Sequence, residues 1–159
     1  MAVEFQDFSF EVKAEINEKS IAWLHKWANS IASHAKDNCK LDGEAGIELR
    51  KSYRAEFDDN KGEALIGTHL EQGYWEEFGT GEHAVREPHR RGWWVYKDGY
   101  EGKGGKVLTE AQAKAMAAGD PTVHATNGRE PSYTLENAYK AKKKRAEAEL
   151  EKIMKETGE

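Results

Sequence analysis

The strongest constraint on the fold is a helical repeat of apolar residues near the start of the chain. Between residues 13 and 39, apolar side chains recur at three- and four-residue steps, as they do on one face of an α-helix. They are Ile16, Trp23, Leu24, Trp27, Ile31 and Ala35. A helix of this length spans roughly 40 Å, which is longer than most helices of globular proteins. The rest of the chain has to cover its apolar face.

The remaining pattern predicts an α+β fold with a second long helix. Residues 53–70 contain two short strand-like runs that are separated by a loop rich in Asp, Asn and Gly, which predicts a β-hairpin. Two further strand candidates lie at 93–97 and 122–126, and apolar positions repeat with helical spacing over 132–155. We therefore expect an antiparallel sheet of about four strands, with the N-terminal and C-terminal helices packed on one face.

Shorter elements are expected between these. Residues 47–52 predict a short helix or the entry to a strand, and residues 109–118 predict a helix that Thr109 caps. Before the first long helix, residues 5–12 alternate only partly between apolar and polar, which predicts a short edge strand or an arm.

The composition indicates one domain with a thin core. The chain has 159 residues, which predicts a single domain over 1–159. Leu, Ile, Val and Phe together number only 25, but the 16 aromatic residues and a net charge of −5 argue against disorder. We expect a core of alanine and aromatic rings, in a chain that buries further surface against a partner subunit.

Several protein classes are excluded by composition. No apolar run approaches the roughly 18 residues of a membrane span, and the first residues lack the pattern of a signal peptide. A single cysteine, Cys39, excludes an internal disulfide framework and a Cys-rich zinc site, and we expect it to be a buried core thiol. The reducing cytosol is the expected compartment, and the mild acidity argues against a dedicated nucleic-acid binder.

Residues with catalytic or metal-binding chemistry lack the spacing of a known site. His83 and His89 lie six positions apart, without the His-Glu-x-x-His spacing of a helical zinc site. Glu76 and Glu77 are adjacent, so on a helix they project about 100° apart and a shared site is not expected. A metal-dependent hydrolase that uses these four residues is one alternative. The pattern favours solvated histidines, and we expect no catalytic residue, no metal and no cofactor.

A basic run on the last predicted helix supports a second alternative, a nucleic-acid-binding module. Cationic side chains supply the salt-dependent part of nucleic-acid affinity. The run comprises Lys140, Lys142, Lys143, Lys144 and Arg145. Acidic residues at 147–151 offset it with i, i+4 partners, which favours a solvated helix face over a DNA contact.

Residues 71–81 form an unusual segment in which aromatic and acidic residues run into a Gly-x-Gly sequence. A helix with a glycine C-terminal cap explains the glycines, but it does not explain the aromatic density. The residues concerned are Tyr74, Trp75, Glu76, Glu77, Phe78, Gly79, Thr80 and Gly81.

This segment is one of five that follow one another in a recognisable order. Residues 42–52 end in Leu-Arg-Lys-Ser, and residues 75–81 read Trp-Glu-Glu-Phe-Gly-Thr-Gly. Residues 92–98 contain Gly-Trp-Trp-Val-Tyr-Lys, and residues 126–131 end in Gly-Arg-Glu-Pro before the start of the last helix at 135–138. In this order the chain resembles the tail-completion or head–tail joining (neck, minor tail) proteins of long-tailed, non-contractile bacteriophages and prophages.

Two departures from the family pattern accompany this resemblance. The spacing before Leu49, over residues 44–48, is longer than the family's Thr-Gly-x-Leu segment. Residues 99–125 are also longer than the family pattern and contain an Ala-rich helix, so we interpret them as an insertion specific to this branch.

The resemblance implies a structural, non-enzymatic virion assembly protein that acts as a homo-oligomeric ring at the junction between head and tail. The implied partners are other neck and tail proteins, such as a connector or stopper, a tail terminator or the tail tube, with transient contact to phage DNA and none to a membrane. The implied location is the virion, and the bacterial host cytoplasm during assembly. The expected interface residues are Tyr74, Trp75, Glu77, Phe78, Gly79, Thr80, Gly81, Trp93 and Trp94.

Overall fold

A computed structural model describes residues 9–11, 18–98 and 106–157. Their contacts divide the chain into two compact units. The first contains the residues up to Glu77 and those from Tyr133 onwards, and the second contains Phe78–Ser132. The single domain expected from the chain length stays a prediction.

The described residues form helices and short antiparallel strands. The helices are α1 (Glu18–Asn38), α2 (Gly43–Ser52), α3 (Glu71–Phe78), α4 (Glu110–Ala118) and α5 (Thr134–Thr157). The strands are β1 (Ser9–Glu11), β2 (Arg54–Asp58), β3 (Glu63–Gly67), β4 (Thr80–Gly81), β5 (Trp94–Lys97), β6 (Val123–Thr126) and β7 (Gly128–Arg129). The mixed α+β class and the long helices near each end are therefore confirmed.

Helix α1 organises the core of the first unit. Its buried face is the one that the apolar repeat predicts, and α5 packs along it. The Trp23 indole N–H donates to the Ala146 carbonyl at 2.9 Å, and Lys26 pairs with Glu149 at 2.6 Å. The core cluster consists of Trp23, Leu24, Trp27, Ala28, Ile31, Ala32, Ala35, Cys39, Leu49, Tyr53, Ala64, Ile66, Leu135, Ala138 and Ala146. The expected core of alanine and aromatic rings is confirmed, and so is the burial of Cys39.

The sheet of the first unit contains three antiparallel strands in the order β1-β3-β2. Strands β2 and β3 form the predicted hairpin, with Phe57 opposite Ala64 and Glu56 opposite Leu65. Alternation along β3 buries Ala64 and Ile66, while Leu65 is exposed. Helix α1 therefore covers one face of this sheet, and α5 packs mainly against α1 rather than against the strands.

The expectation of one sheet with about four strands is wrong. Strand β3 already has a neighbour on each side, and β5 and β6 pair with each other in the second unit. A two-stranded ribbon can remain separate because α4 packs against both of its strands. Strands β4 and β7 form a further short pair, with Gly81 opposite Gly128.

The predicted helix after the glycine-rich loop is confirmed as α4. Thr109 caps it in a reciprocal arrangement with Gln112, and Ala113 is fully buried. Of the proposed insertion, residues 99–105 lie outside the described residues, and the remainder supplies α4 and most of β6. Its status as an insertion stays a prediction.

Two further predictions concern the ends of elements. Residues 47–52 belong to a helix, α2, rather than to the entry of a strand. Of the expected arm or edge strand at 5–12, residues 9–11 form β1. Residues 5–8 and 12 lie outside the described residues, and so do residues 13–17 of the expected long helix. None of the described helices combines the length and the hydropathy that a membrane crossing requires.

Candidate functional site

The aromatic and glycine segment combines buried acids with an exposed ring. In α3, Glu76 and Glu77 are only 1% and 2% exposed, whereas the neighbouring Trp75 is 43% exposed. Gly79 follows the last helical residue with a φ of 74°, the left-handed conformation that commonly ends a helix. The glycine cap expected from the sequence is therefore confirmed, and the acids require a separate explanation.

Glu77 caps the start of α5. Its two carboxylate oxygens accept the backbone N–H groups of Leu135 at 2.7 Å and Glu136 at 3.0 Å. The first N–H groups of a helix have no partner within the helix, and they carry a partial positive charge that favours a carboxylate. Burial raises the pKa of Glu77 above its ordinary value, and the two N–H groups oppose that rise.

Glu76 connects the same helix start to the segment after α1. Its Oε1 accepts the Lys40 backbone N–H at 2.6 Å and the Thr134 hydroxyl at 3.2 Å. Both acids therefore meet the first turn of α5, although adjacent helix positions were expected to diverge. Glu76 accepts the Thr134 hydroxyl and Glu77 accepts the Leu135 N–H, so the two acids contact neighbouring groups of one turn. This arrangement satisfies backbone groups of the fold.

Tyr53 lies in the electrostatic environment of these acids. Its side chain is fully buried, and its hydroxyl has no hydrogen-bond partner among the described residues. Burial raises the pKa of this hydroxyl, and Cys39, Glu76 and Glu77 raise it further. Tyr53 therefore stays protonated next to the two acids.

Within each unit, the structure brings together segments that carry the resemblance. In the second unit, Thr80 pairs with Arg129 and Gly81 with Gly128. In the first unit, Glu77 contacts the start of the last helix, at Leu135. Within each unit, segments that are far apart in sequence are thus neighbours in space.

Comparison of the chain with protein-family models, with curated proteins and with solved structures finds no match. A function for this chain is therefore inferred from its own residues and from where the fold places them.

The expected interface residues are divided between the two units. Tyr74, Trp75 and Glu77 lie in the first unit; Phe78, Gly79, Thr80, Gly81, Trp93 and Trp94 lie in the second. Phe78 stacks under the guanidinium of Arg86 at 4.0 Å, and Trp93 lies 5.5 Å from the Lys114 ammonium. Of the expected interface residues in the first unit, Trp75 is the most exposed.

The basic run on α5 is partly neutralised by its own helix. Lys140 pairs with Glu136, and Lys143 lies 3.7 Å from Glu147. The Arg145 guanidinium lies 5.8 Å from the Trp27 ring, and Lys142 and Lys144 complete the run. A DNA contact through these residues stays a prediction.

The histidines considered for a metal site have local partners. His83 Nδ1 lies 2.7 Å from Glu130, and His89 Nδ1 lies 3.2 Å from Glu87. Both histidines belong to the second unit, whereas Glu76 and Glu77 belong to the first. Within the described ranges, no three His, Cys, Asp or Glu side chains lie together in a way that could hold a metal ion.

The sequence predicted the two strands β5 and β6 and singled out Trp94, but it did not indicate that Trp94 shares a surface with Tyr96 and His124. The ribbon β5–β6 presents Trp94, Tyr96 and His124, with Arg90 stacked on Trp94 at 4.8 Å. The alternation of β5 could have indicated that Trp94 and Tyr96 share a face, but the pairing of β5 with β6 could not be read from local sequence.

Proposed function

We propose that this chain is a bacteriophage virion assembly protein that acts at the head–tail junction, as a structural subunit of a ring. The five segments described above support this proposal by their order along the chain. The strongest structural support comes from two residues of α3. Glu77 caps the start of α5, whereas the ring of Trp75 is 43% exposed.

The 43% exposure of Trp75 leaves apolar ring surface that a subunit can bury against a neighbour. Tryptophan is enriched among the residues that contribute most binding energy at protein interfaces. The adjacent acids fix α3 against α5, so the ring is held on a rigid element rather than on a loop. The proposed neighbour is a second copy or a neck or tail protein such as a connector, stopper, terminator or tail-tube subunit.

The test is a gene deletion in an inducible prophage that encodes this chain, followed by electron microscopy of the lysate. We expect DNA-filled heads lying separate from finished tails, and rescue of joined particles when the wild-type gene is supplied in trans. Joined, infectious particles in the deletion strain would refute the proposal.

Complementation with two single variants then tests the exposed ring. We expect Trp75→Ala to fail in rescue and Leu65→Thr to succeed, because Leu65 is also exposed, at 42%, but lies outside the five segments. Rescue by Trp75→Ala at normal yield would show that the interface lies elsewhere.

A further inference from the structure

The β5–β6 ribbon has two different faces. Successive side chains of a strand point to opposite sides, so Trp93 and Val95 share one face, and Trp94 and Tyr96 share the other. Lys114 of α4 lies over the Trp93 ring, at 5.5 Å, which identifies the first face as the one that α4 covers. Trp94 and Tyr96 therefore face away from α4.

The outward face consists of two pairs of planar groups. The Arg90 guanidinium lies over the Trp94 ring at 4.8 Å. Tyr96 lies opposite His124 in the ribbon, with ring centroids 5.0 Å apart and 30° between the ring planes. Tyr96 remains 49% exposed. Each pair thus places an aromatic ring next to a planar nitrogen-bearing group.

We propose that these two pairs form a stacking platform for single-stranded nucleic acid. Trp94 and Tyr96 are two residues apart on one strand, which separates them by about 7 Å. Aromatic rings and arginine planes on a sheet surface are the groups on which unpaired bases stack, and every base offers a π-face to them. A nearby cation adds attraction for the backbone phosphates.

The neighbours of these rings favour a nucleic acid over a protein partner. The residue opposite Trp94 is Thr126, and Asp98 Oδ1 lies 2.9 Å from His124 Nε2, which orients the imidazole. Trp, Tyr and Arg are common at protein interfaces too. What favours a nucleic acid is that each ring is paired with a planar nitrogen-bearing group, the Arg90 guanidinium or the His124 imidazole. Unpaired bases stack on such planes, and the charge of Arg90 attracts phosphate. A duplex would not fit as well, because its bases are already stacked on each other.

This proposal does not rest on the head–tail function, although Trp94 is also one of the interface residues that the resemblance implies. Binding of a labelled oligothymidylate to the full chain tests it. At about 50 mM salt, we expect binding that the unlabelled single strand competes for and the matching duplex does not. Base stacking on one aromatic ring corresponds to an affinity loss of about 5- to 100-fold on its removal. We therefore expect Tyr96→Thr and Arg90→Ala each to weaken binding in that range, and Tyr96→Phe to retain it.

Two control variants locate the site. Val85→Thr changes an exposed apolar residue of the same unit, and Lys144→Ala changes the basic run on α5; we expect neither to alter the affinity by more than about twofold. Thr retains the strand propensity at position 96, and circular dichroism of each variant checks the fold. Absence of binding, or binding that Lys144→Ala weakens and Tyr96→Thr does not, would overturn the proposal. A face that serves a protein partner would give the first of these results.

Discussion

The Glu77 carboxylate accepts the backbone N–H of Leu135 at 2.7 Å, although the two residues are 58 positions apart in sequence. Its second oxygen accepts the N–H of Glu136 at 3.0 Å. A helix usually receives this bond from a Ser, Thr, Asp or Asn at its own N-cap. Here Tyr133, with a φ of 50°, precedes the helix, and the cap comes from α3. Glu77 therefore connects two parts of the first unit that are distant in sequence, its own helix and the start of α5.

We expect Glu77→Ala to lower the free energy of unfolding by about 1–3 kcal/mol, because it leaves two buried N–H groups without an acceptor. Glu77→Gln should cost less, since its amide oxygen can still accept one of the two N–H groups. Urea denaturation at neutral pH, followed by circular dichroism, measures both. Equal stability of Glu77→Ala and the wild type would show that the cap contributes nothing.

The same residue predicts a pH dependence of stability. Burial raises the pKa of Glu77, so over the pH range above its ordinary value of about 4.3 the folded state binds more protons than the unfolded state. This contribution to stability is present below the unfolded pKa and is lost as the pH rises through the folded pKa. We therefore expect the free energy of unfolding of the wild type, minus that of Glu77→Gln, to decrease as the pH rises above the ordinary pKa of a glutamate.

Exposed acids do not obscure this measurement. Asp58 and Asp120 have pKa values lowered mainly by hydrogen bonds from Lys61 and Thr122, so they have the opposite effect on stability. They are present in both proteins and cancel in the difference. A difference that increases with pH would show that the two N–H bonds outweigh burial.

Most helices and strands could be predicted because interactions between residues that are close in sequence determine them. The apolar repeat of α1 places Trp23 and Trp27 on the buried face, and Thr109 and Gln112 are close enough in sequence to form their capping box. The cap from Glu77 could not be predicted in this way, because nothing near position 77 records that a helix begins 57 residues later. Chain length also gave no indication that β5 pairs with β6 rather than extending the sheet.

A second limit concerns close backbone approach. A glycine such as Gly81 permits close backbone approach, but its partner, Gly128, lies in a segment far along the chain. Only the pairing of β4 with β7 shows why both positions lack a side chain. Local sequence can therefore identify a candidate position without identifying what approaches it.

Gly81 provides a prediction with a matched control. It has a φ of 61°, and a Cβ there would lie 2.0 Å from the Asn127 carbonyl oxygen. We expect Gly81→Ala to lower stability by more than about 3 kcal/mol or to disrupt the second unit, because the clash is with backbone. Gly43 has a φ of 70° but open space around the added Cβ. Gly43→Ala should therefore cost only the backbone strain, about 1–2 kcal/mol.

Thermal denaturation of both variants distinguishes steric contact from strain. Similar losses for Gly81→Ala and Gly43→Ala would mean that the strands β4 and β7 separate readily. In that case Gly81 and Gly43 would be required only for their positive φ angles.

Trp75 and Trp23 provide the final prediction, since they separate assembly from folding. Trp23 is 2% exposed and donates to the Ala146 carbonyl, so Trp23→Ala should cost about 3–5 kcal/mol of stability. Trp75 is 43% exposed, so Trp75→Ala should change the stability of the isolated subunit by at most about 0.5 kcal/mol. If the ring of Trp75 is buried between copies, the same variant should shift the protein from oligomer to monomer in light scattering coupled to size-exclusion chromatography.

The two readouts have to diverge for Trp75 to be an interface residue. A Trp75→Ala protein that remains oligomeric at unchanged stability would remove it from the subunit contact and leave only a contact with another neck or tail protein. A loss of stability comparable with that of Trp23→Ala would instead mean that the exposed part of the ring contributes to the fold, and Glu77 and Trp75 would then share one structural role.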